Sequence, residues 1–268
     1  MNEPMPLYSH VSVIANVNKD PDLGYMGQVI DFLKVRNVNV AIDRLHADAS
    51  FCVVLGGDGT ILRVAHEAAT FNIPLLGINL GNLGFLTDVD KKDGLRSIEK
   101  VLNSQFTTEK RLMLEAEFGL KHAIPVHQKL ALNEVHVGTS GSLKSFSVYV
   151  NEQHVDTIRA DGIIVATPTG STAYSLSAGG PIIVPDGQML AITPVCPHSL
   201  SSRPWVVSAD DEVRIVVRQL TPMHIDGECR GNVACGNSVL VKKSKFITQT
   251  IKTTPPHFYA VLRKKKIL

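Results

Sequence analysis

The sequence predicts two domains of different texture: an α/β N-terminal domain with a parallel sheet, and a strand-rich, β-sandwich-like C-terminal domain. Two observations carry this. Over the first hundred residues, short apolar runs alternate with stretches of helical period, the pattern of strands joined by crossover helices. From about residue 106 the helical stretches give way to many short segments of period two.

In chain order, residues 11–15 read as a buried strand and 24–36 as a helix with Met26, Val29, Ile30 and Leu33 along one side. Residues 38–42 and 51–55 read as the next two strands, followed by a helix over 60–71 and a strand over 74–78. A helix over about 91–103 closes this half. Period-two stretches follow at 112–118, 130–137, 146–150, 155–158, 163–166, 213–217, 239–241 and 246–251. The domains expected are therefore 1–105 and 106–254, with a tail at 255–268 that could pack back on the first.

At 268 residues the chain can hold one large core or two modest ones. A net charge of +2 and 6% aromatic residues give neither a polyanion-binding field nor a stacking platform for single strands, so no nucleic-acid partner is expected. Lys264-Lys265-Lys266 reads as a solvated basic tail. Cys52, Cys196, Cys229 and Cys235 lack metal-ligand spacing and suit a reducing compartment. The start, Met-Asn-Glu-Pro-Met-Pro, has no signal pattern, and no apolar run is long enough to span a bilayer. A cytoplasmic protein without a membrane partner is the expectation.

The most informative string is Gly56-Gly57-Asp58-Gly59-Thr60, set between the apolar run 51–55 and the amphipathic stretch that follows. Glycines let a ligand approach backbone N–H groups, and a helix starting just after them adds its positive dipole end. Such a turn suits a phosphate. A carboxylate there is wrong for plain anion binding, so Asp58 is read as handling a proton or a metal ion. An unadorned strand-to-helix turn is the competing explanation, and the complete five-residue string weighs against it. Ligands of parallel sheets bind beyond the carboxyl ends of strands, where this loop and the segment 79–87 both lie.

A second constellation runs from Asp161 to Pro181. A buried strand enters a hydroxyl-rich turn, then a short helical stretch that Ser171 or Thr172 is expected to cap. Its free N–H groups and hydroxyls suit a polar ligand and Tyr174 offers an aromatic face, while a Pro/Gly turn with a capped helix and no ligand explains the segment equally well. Asn133-Glu134, flanked by apolar residues, reads by itself more readily as an ordinary strand end, with a half-buried polar pair in need of partners such as ribose hydroxyls as the functional alternative.

Together and in this order, Gly56–Thr60, Asn133-Glu134 and Thr167-Pro168-Thr169-Gly170-Ser171-Thr172-Ala173-Tyr174-Ser175 closely resemble the NAD kinase family. The likeness also takes in residues 79–88 and 197–204, and the Thr-Pro-Thr-Gly-Ser string is its most discriminating part. The resemblance implies phosphorylation of the 2′-hydroxyl of the adenosine ribose of NAD, giving NADP. It implies ATP as donor, a divalent metal ion such as Mg2+, and a homo-oligomer, dimer or tetramer.

By the same resemblance Asp58 is the catalytic aspartate, with Gly56, Gly57, Gly59 and Arg63 at the phosphates. Asn133 and Glu134 grip the adenosine end, and Asp161 contacts the dinucleotide. Thr172, Ala173, Tyr174, Ser175, Leu176 and Ser177 line its pocket, and Phe85 walls it. Lys144, Arg159 and Glu228 fall at positions that some members use for substrate. The implied site draws residues from both halves. A lipid or sugar kinase sharing only the glycine-aspartate loop, and a non-catalytic NAD sensor, are the alternatives.

Overall fold

The computed structural model describes residues 8–81, 84–87, 89–118, 129–255 and 258–267. The N-terminal hexapeptide, and Asn82, Leu83 and Asp88 of the 79–88 segment, lie outside them. Two compact units emerge, Met1–Lys110 with Thr248–Leu268, and Arg111–Ile247. Among the described residues no helix is long and apolar enough to cross a membrane.

The first unit runs β1 (His10–Ala15), α1 (Gly24–Lys34), β2 (Asn39–Ile42), β3 (Phe51–Gly56), α2 (Asp58–Phe71), β4 (Leu75–Asn79), a two-residue β5 (Val89–Asp90) and α3 (Gly94–Leu102). The strands are parallel in the order β2-β1-β3-β4. Central β3 is buried along its whole length, which is why Phe51 to Leu55 reads as an unbroken apolar run. α1 lays Tyr25, Met26, Val29, Ile30 and Leu33 into the core, and α2 buries Ile61, Val64, Ala65, Ala68 and Ala69. α2 starts two residues before the apolar period suggests. Asp58 stands in its first turn, where a negative charge meets the positive end of the helix dipole. Asn72 stops the helix in the left-handed conformation.

The chain continues with β6 (Thr107–Glu117), β7 (Leu130–Ala131), β8 (Glu134–Gly138), β9 (Lys144–Val150), β10 (Gln153–Ala160), β11 (Gly162–Ala166), α4 (Tyr174–Ser177), β12 (Met189–Val195), β13 (Trp205–Ser208), β14 (Val213–Val217), β15 (Thr221–Ile225), β16 (Glu228–Val233), β17 (Ser238–Lys252) and α5 (Phe258–Lys264). In the second unit, antiparallel β13-β12-β11-β8-β15-β16 form one sheet, and β10-β9-β14 with the first part of β17 form another. Val135, Val137, Ile163, Val165, Leu190 and Ile192 of the first pack with Phe146, Val148, Ile215, Val239 and Val241 of the second in one core. In the first unit, Thr250 near the end of β17 pairs in parallel with Leu75 of β4.

Several strands differ from the sequence expectation. The stretch 130–137 is two strands, because the Asp226 carboxylate takes the amides of Leu132, Asn133 and Glu134 where a ladder would run. The stretches 239–241 and 246–251 are one strand. The polar Lys242-Lys243-Ser244-Lys245 hides its continuity, yet Lys242 pairs with Glu117 and Lys243 with Asp210. β12, β13, β15 and β16 escaped the period-two reading. β12 and β15 contain Pro194 and Pro222, β13 has four residues, and Glu228–Val233 has almost no apolar alternation.

Candidate functional site

In the first unit, the carboxyl ends of β1, β3 and β4 are tied together. Asn16 N–H donates to the Leu55 carbonyl at 2.8 Å, and Leu80 N–H donates to that of Gly56 at 2.9 Å. Gly56 closes β3, Gly57 precedes α2, and Asp58 and Gly59 open it. The Asp58 carboxylate is held by the segment after β4. Oδ2 accepts Phe85 N–H at 2.9 Å, while Oδ1 accepts Leu86 N–H at 3.0 Å and Thr87 N–H and hydroxyl at 3.1 Å. Asn79 Nδ2 braces that hydroxyl at 2.8 Å. A methyl group on Gly84 would collide with the carboxylate, so only glycine lets this segment wrap so closely.

The other residues expected here have definite places. Arg63 Nη2 donates to the Ala15 carbonyl at 3.3 Å, at the end of β1. The Phe85 ring is 5.8 Å from that of Phe258 in α5, and Lys265 Nζ lies 4.8 Å from its centroid, so the C-terminal helix covers part of it. The amides of Asp58 and Gly59 have no acceptor among the described residues. By contrast, the start of α1 is filled by the protein itself, since Asp20 accepts Tyr25 N–H at 3.2 Å and Met26 N–H at 2.9 Å. α2 thus presents an open anion-binding end.

In the second unit, Asn133 and Glu134 are both buried. Asp226 and Gly227, with φ of 48° and 83°, form the tight turn between β15 and β16 and aim the Asp226 carboxylate at the 132–134 bend. Glu134 lines a cavity of about 240 Å³ with His136, Thr139, Ser140, Tyr174 and His224. The His136 and His224 rings stack at 5.4 Å, and Tyr174 meets His136 edge-on at 5.3 Å. Glu134 Oε2, His136 Nε2 and His224 Nδ1 are buried without hydrogen-bond partners among the described residues. Burial and the nearby Asp226 carboxylate push the Glu134 carboxyl up to about 8. Burial and the neighbouring His224 bring His136 down to about 4, and burial also lowers His224. At neutral pH the cavity therefore offers an acid O–H and uncharged rings, a surface for a flat polar ligand.

The hydroxyl-rich segment is largely self-satisfied, and the expected cap is corrected: Ala173 stands at the N-cap of α4. The Ser171 hydroxyl donates to the Pro168 carbonyl at 2.7 Å and accepts Ile183 N–H at 3.0 Å, and Thr172 donates to the Thr169 carbonyl at 3.2 Å. Ser175 is fully buried against the Thr193 hydroxyl at 2.9 Å, while Leu176 is half-buried and Ser177 exposed. Asp161 accepts Gly141 N–H at 2.8 Å. Lys144 Nζ donates to the Leu220 carbonyl at 3.0 Å, and Glu228 pairs with Arg230 at 2.7 Å. Arg159 lines a separate cavity of about 380 Å³ with His198, Ser199, Arg203 and Trp205. Sequence reasoning reached Gly84 and Thr87 only as part of the segment 79–87, and missed His136, His224 and Asp226. The Asp226-Gly227 dipeptide, a turn signal, was the one legible pointer among them.

The chain matches two family models, the ATP-NAD kinase N-terminal domain over residues 10–106 and the ATP-NAD kinase C-terminal domain over residues 132–253. It is 39% identical to the NAD kinase of Caldanaerobacter subterraneus subsp. tengcongensis over 95% of this chain and 98% of that protein. It is 41% identical to the NAD kinase of Azoarcus sp. over 83% of this chain and 77% of that protein. Its fold resembles an NAD kinase from Archaeoglobus fulgidus solved in complex with ATP, with TM-score 0.80, 26% identity and coverage of 97% and 99% of the two chains. It also resembles yeast NADH kinase, with TM-score 0.84, 22% identity and coverage of 97% and 88%.

The shifted carboxyl yields a pH prediction. The fold favours protonated Glu134, so its stabilising contribution is full below about pH 4.5 and is lost as pH rises through about 8. His136 has the opposite sign, its contribution being full above pH 6.5 and lost as pH falls toward 4. Between pH 6.5 and 8 only the Glu134 effect remains of the two. It costs the ligand-free protein on the order of 2 kcal/mol, at about 1.4 kcal/mol per unit. Urea unfolding at both pH values should show this loss in the native protein and not in Glu134→Gln. Identical pH dependence in the two proteins would refute the assignment.

Proposed function

The chain belongs to the ATP-NAD kinase family and transfers the terminal phosphoryl group of ATP to the 2′-hydroxyl of the adenosine ribose of NAD, giving NADP; from that premise we propose that Asp58 orients the attacking hydroxyl and takes its proton. The ribose oxygen forms the new bond to the terminal phosphorus as the bond to the leaving ADP oxygen breaks. The hydroxyl proton passes to Asp58 Oδ2. One observation supports this above others: the carboxylate is fixed at the start of α2 by three amides and a hydroxyl, with Oδ2 engaged, among the described residues, by Phe85 alone. A base held without freedom to reorient needs no rearrangement at the moment of transfer.

In the same proposal the donor phosphates lie on the open amides of Asp58 and Gly59, and the dinucleotide on Asn133, Glu134 and Tyr174. A divalent ion bound with the triphosphate would neutralise charge on the phosphoryl group. Magnesium usually keeps several waters and is held by one or two carboxylates and the substrate phosphates. Asp58 is the loop residue that would add one. A cytoplasmic homo-oligomer belongs to the proposal through the family likeness. Neither a lipid or sugar kinase nor a non-catalytic sensor is favoured by relatives that match both domains.

Asp58→Asn turns an amide donor toward the Phe85 N–H while the other contacts survive, so the protein should fold with a loss of about 1–3 kcal/mol. Its kcat for NADP formation should fall about 10²–10⁴-fold. Near-native turnover by a folded Asp58→Asn protein would sink the role. Tyr174→Ala should weaken binding of NAD and NADP alike, by about 0.5–1.5 kcal/mol beyond lost area, and that of ATP much less. Calorimetric titration separates the cases, and an equal loss for ATP would make Tyr174 plain packing.

A further inference from the structure

The turn after β1 carries a cation that the sequence motifs do not include. Asn16 organises it: its carbonyl accepts Lys19 N–H at 2.9 Å and Asp20 N–H at 3.1 Å, and its Oδ1 accepts Asn18 N–H at 3.0 Å. The turn delivers Lys19 Nζ onto the two glycine loops. A methyl group on Gly57 would lie 2.7 Å from Nζ, and one on Gly81 would lie 3.4 Å from it. The ammonium thus occupies room left by glycines after β3 and after β4. Neighbouring Asp20 does not neutralise it, since that carboxylate is buried against the start of α1. Arg63, the other cation expected at the loop, is engaged with the Ala15 carbonyl. The Lys19 side chain has no hydrogen-bond or ion-pair partner among the described residues.

We propose that Lys19 is the ammonium that binds the terminal phosphates of the nucleotide donor, closing the cradle that the Asp58 and Gly59 amides begin. This rests on the donor lying on the glycine loop. The electrostatic need is plain. A triphosphate brought beside the fixed Asp58 carboxylate meets like charge, and amide dipoles alone offset it weakly. A lysine is a compact point charge with three donors, suited to several phosphate oxygens rather than to one rigid geometry. Lys19 is exposed, so its ammonium is open to an incoming phosphate.

Three full-length variants test it by calorimetry with ATP, ADP and AMP and by steady-state kinetics. Lys19→Met keeps the stem and removes the charge. It should weaken ATP binding about 10- to 100-fold, as loss of a charge-assisted contact does. The loss should be smaller for ADP and absent for AMP, with KM for NAD and the melting temperature unchanged. Lys19→Arg should recover most of the affinity. Gly59→Leu places bulk in the space above the loop, where a Cβ meets nothing within 4 Å, and should block the donor. If Gly59→Leu abolishes ATP binding and Lys19→Met leaves it intact, the proposal is overturned while the donor site stands. If neither variant affects ATP, the donor site falls and the proposal with it. An equal loss for ATP and AMP also overturns it.

Discussion

The Asp58 carboxylate, held by the amides of Phe85, Leu86 and Thr87 and by the Thr87 hydroxyl, is the constraint on which the first unit's chemistry depends. It couples two loops that the sequence separates by a helix and a strand. Gly84 must lack a side chain for that wrap, Asn79 must brace Thr87, and α2 must start at Asp58 to supply open amides beside it. Each feature is a local rule of backbone geometry. Together they place a charge, fixed in direction, at the carboxyl ends of three parallel strands.

The second unit solves a related problem with the opposite charge state. Asp226 accepts hydrogen bonds from three amides, and burial, reinforced by that carboxylate, keeps the Glu134 carboxyl protonated. Two neutral histidines and a tyrosine complete an uncharged, ring-lined cavity with polar edges. Buried polar atoms without partners cost stability, roughly 1–3 kcal/mol each, and Glu134, His136 and His224 bring such atoms together in this one cavity.

Much of this was legible in the sequence, and the limits have physical causes. The parallel order of the first unit followed from apolar runs alternating with helical period, because strands buried on both faces must be apolar throughout. The Gly-Gly-Asp-Gly string announced itself through composition. The Asp58 partners did not, since three of the four are backbone amides, which any residue supplies. Asp226 acts through a turn 92 to 94 residues from the bend it stabilises, and no local pattern encodes that distance. His136 and His224 pair across strands β8 and β15, a register only the assembled sheet reveals. Lys19 was reachable in principle, because the rule that ligands sit beyond strand ends applies to β1 as much as to β3.

If the fixed geometry of Asp58 governs turnover, a methyl group at Gly84 must act through that carboxylate and through nothing else. A double-mutant cycle on kcat, with Gly84→Ala and Asp58→Asn singly and together, tests this most directly. The account predicts that Gly84→Ala slows the native enzyme by roughly 10²-fold, the scale of a 1 Å misplacement, and changes Asp58→Asn hardly at all. The same slowing in both backgrounds, or native turnover in Gly84→Ala alone, would contradict it.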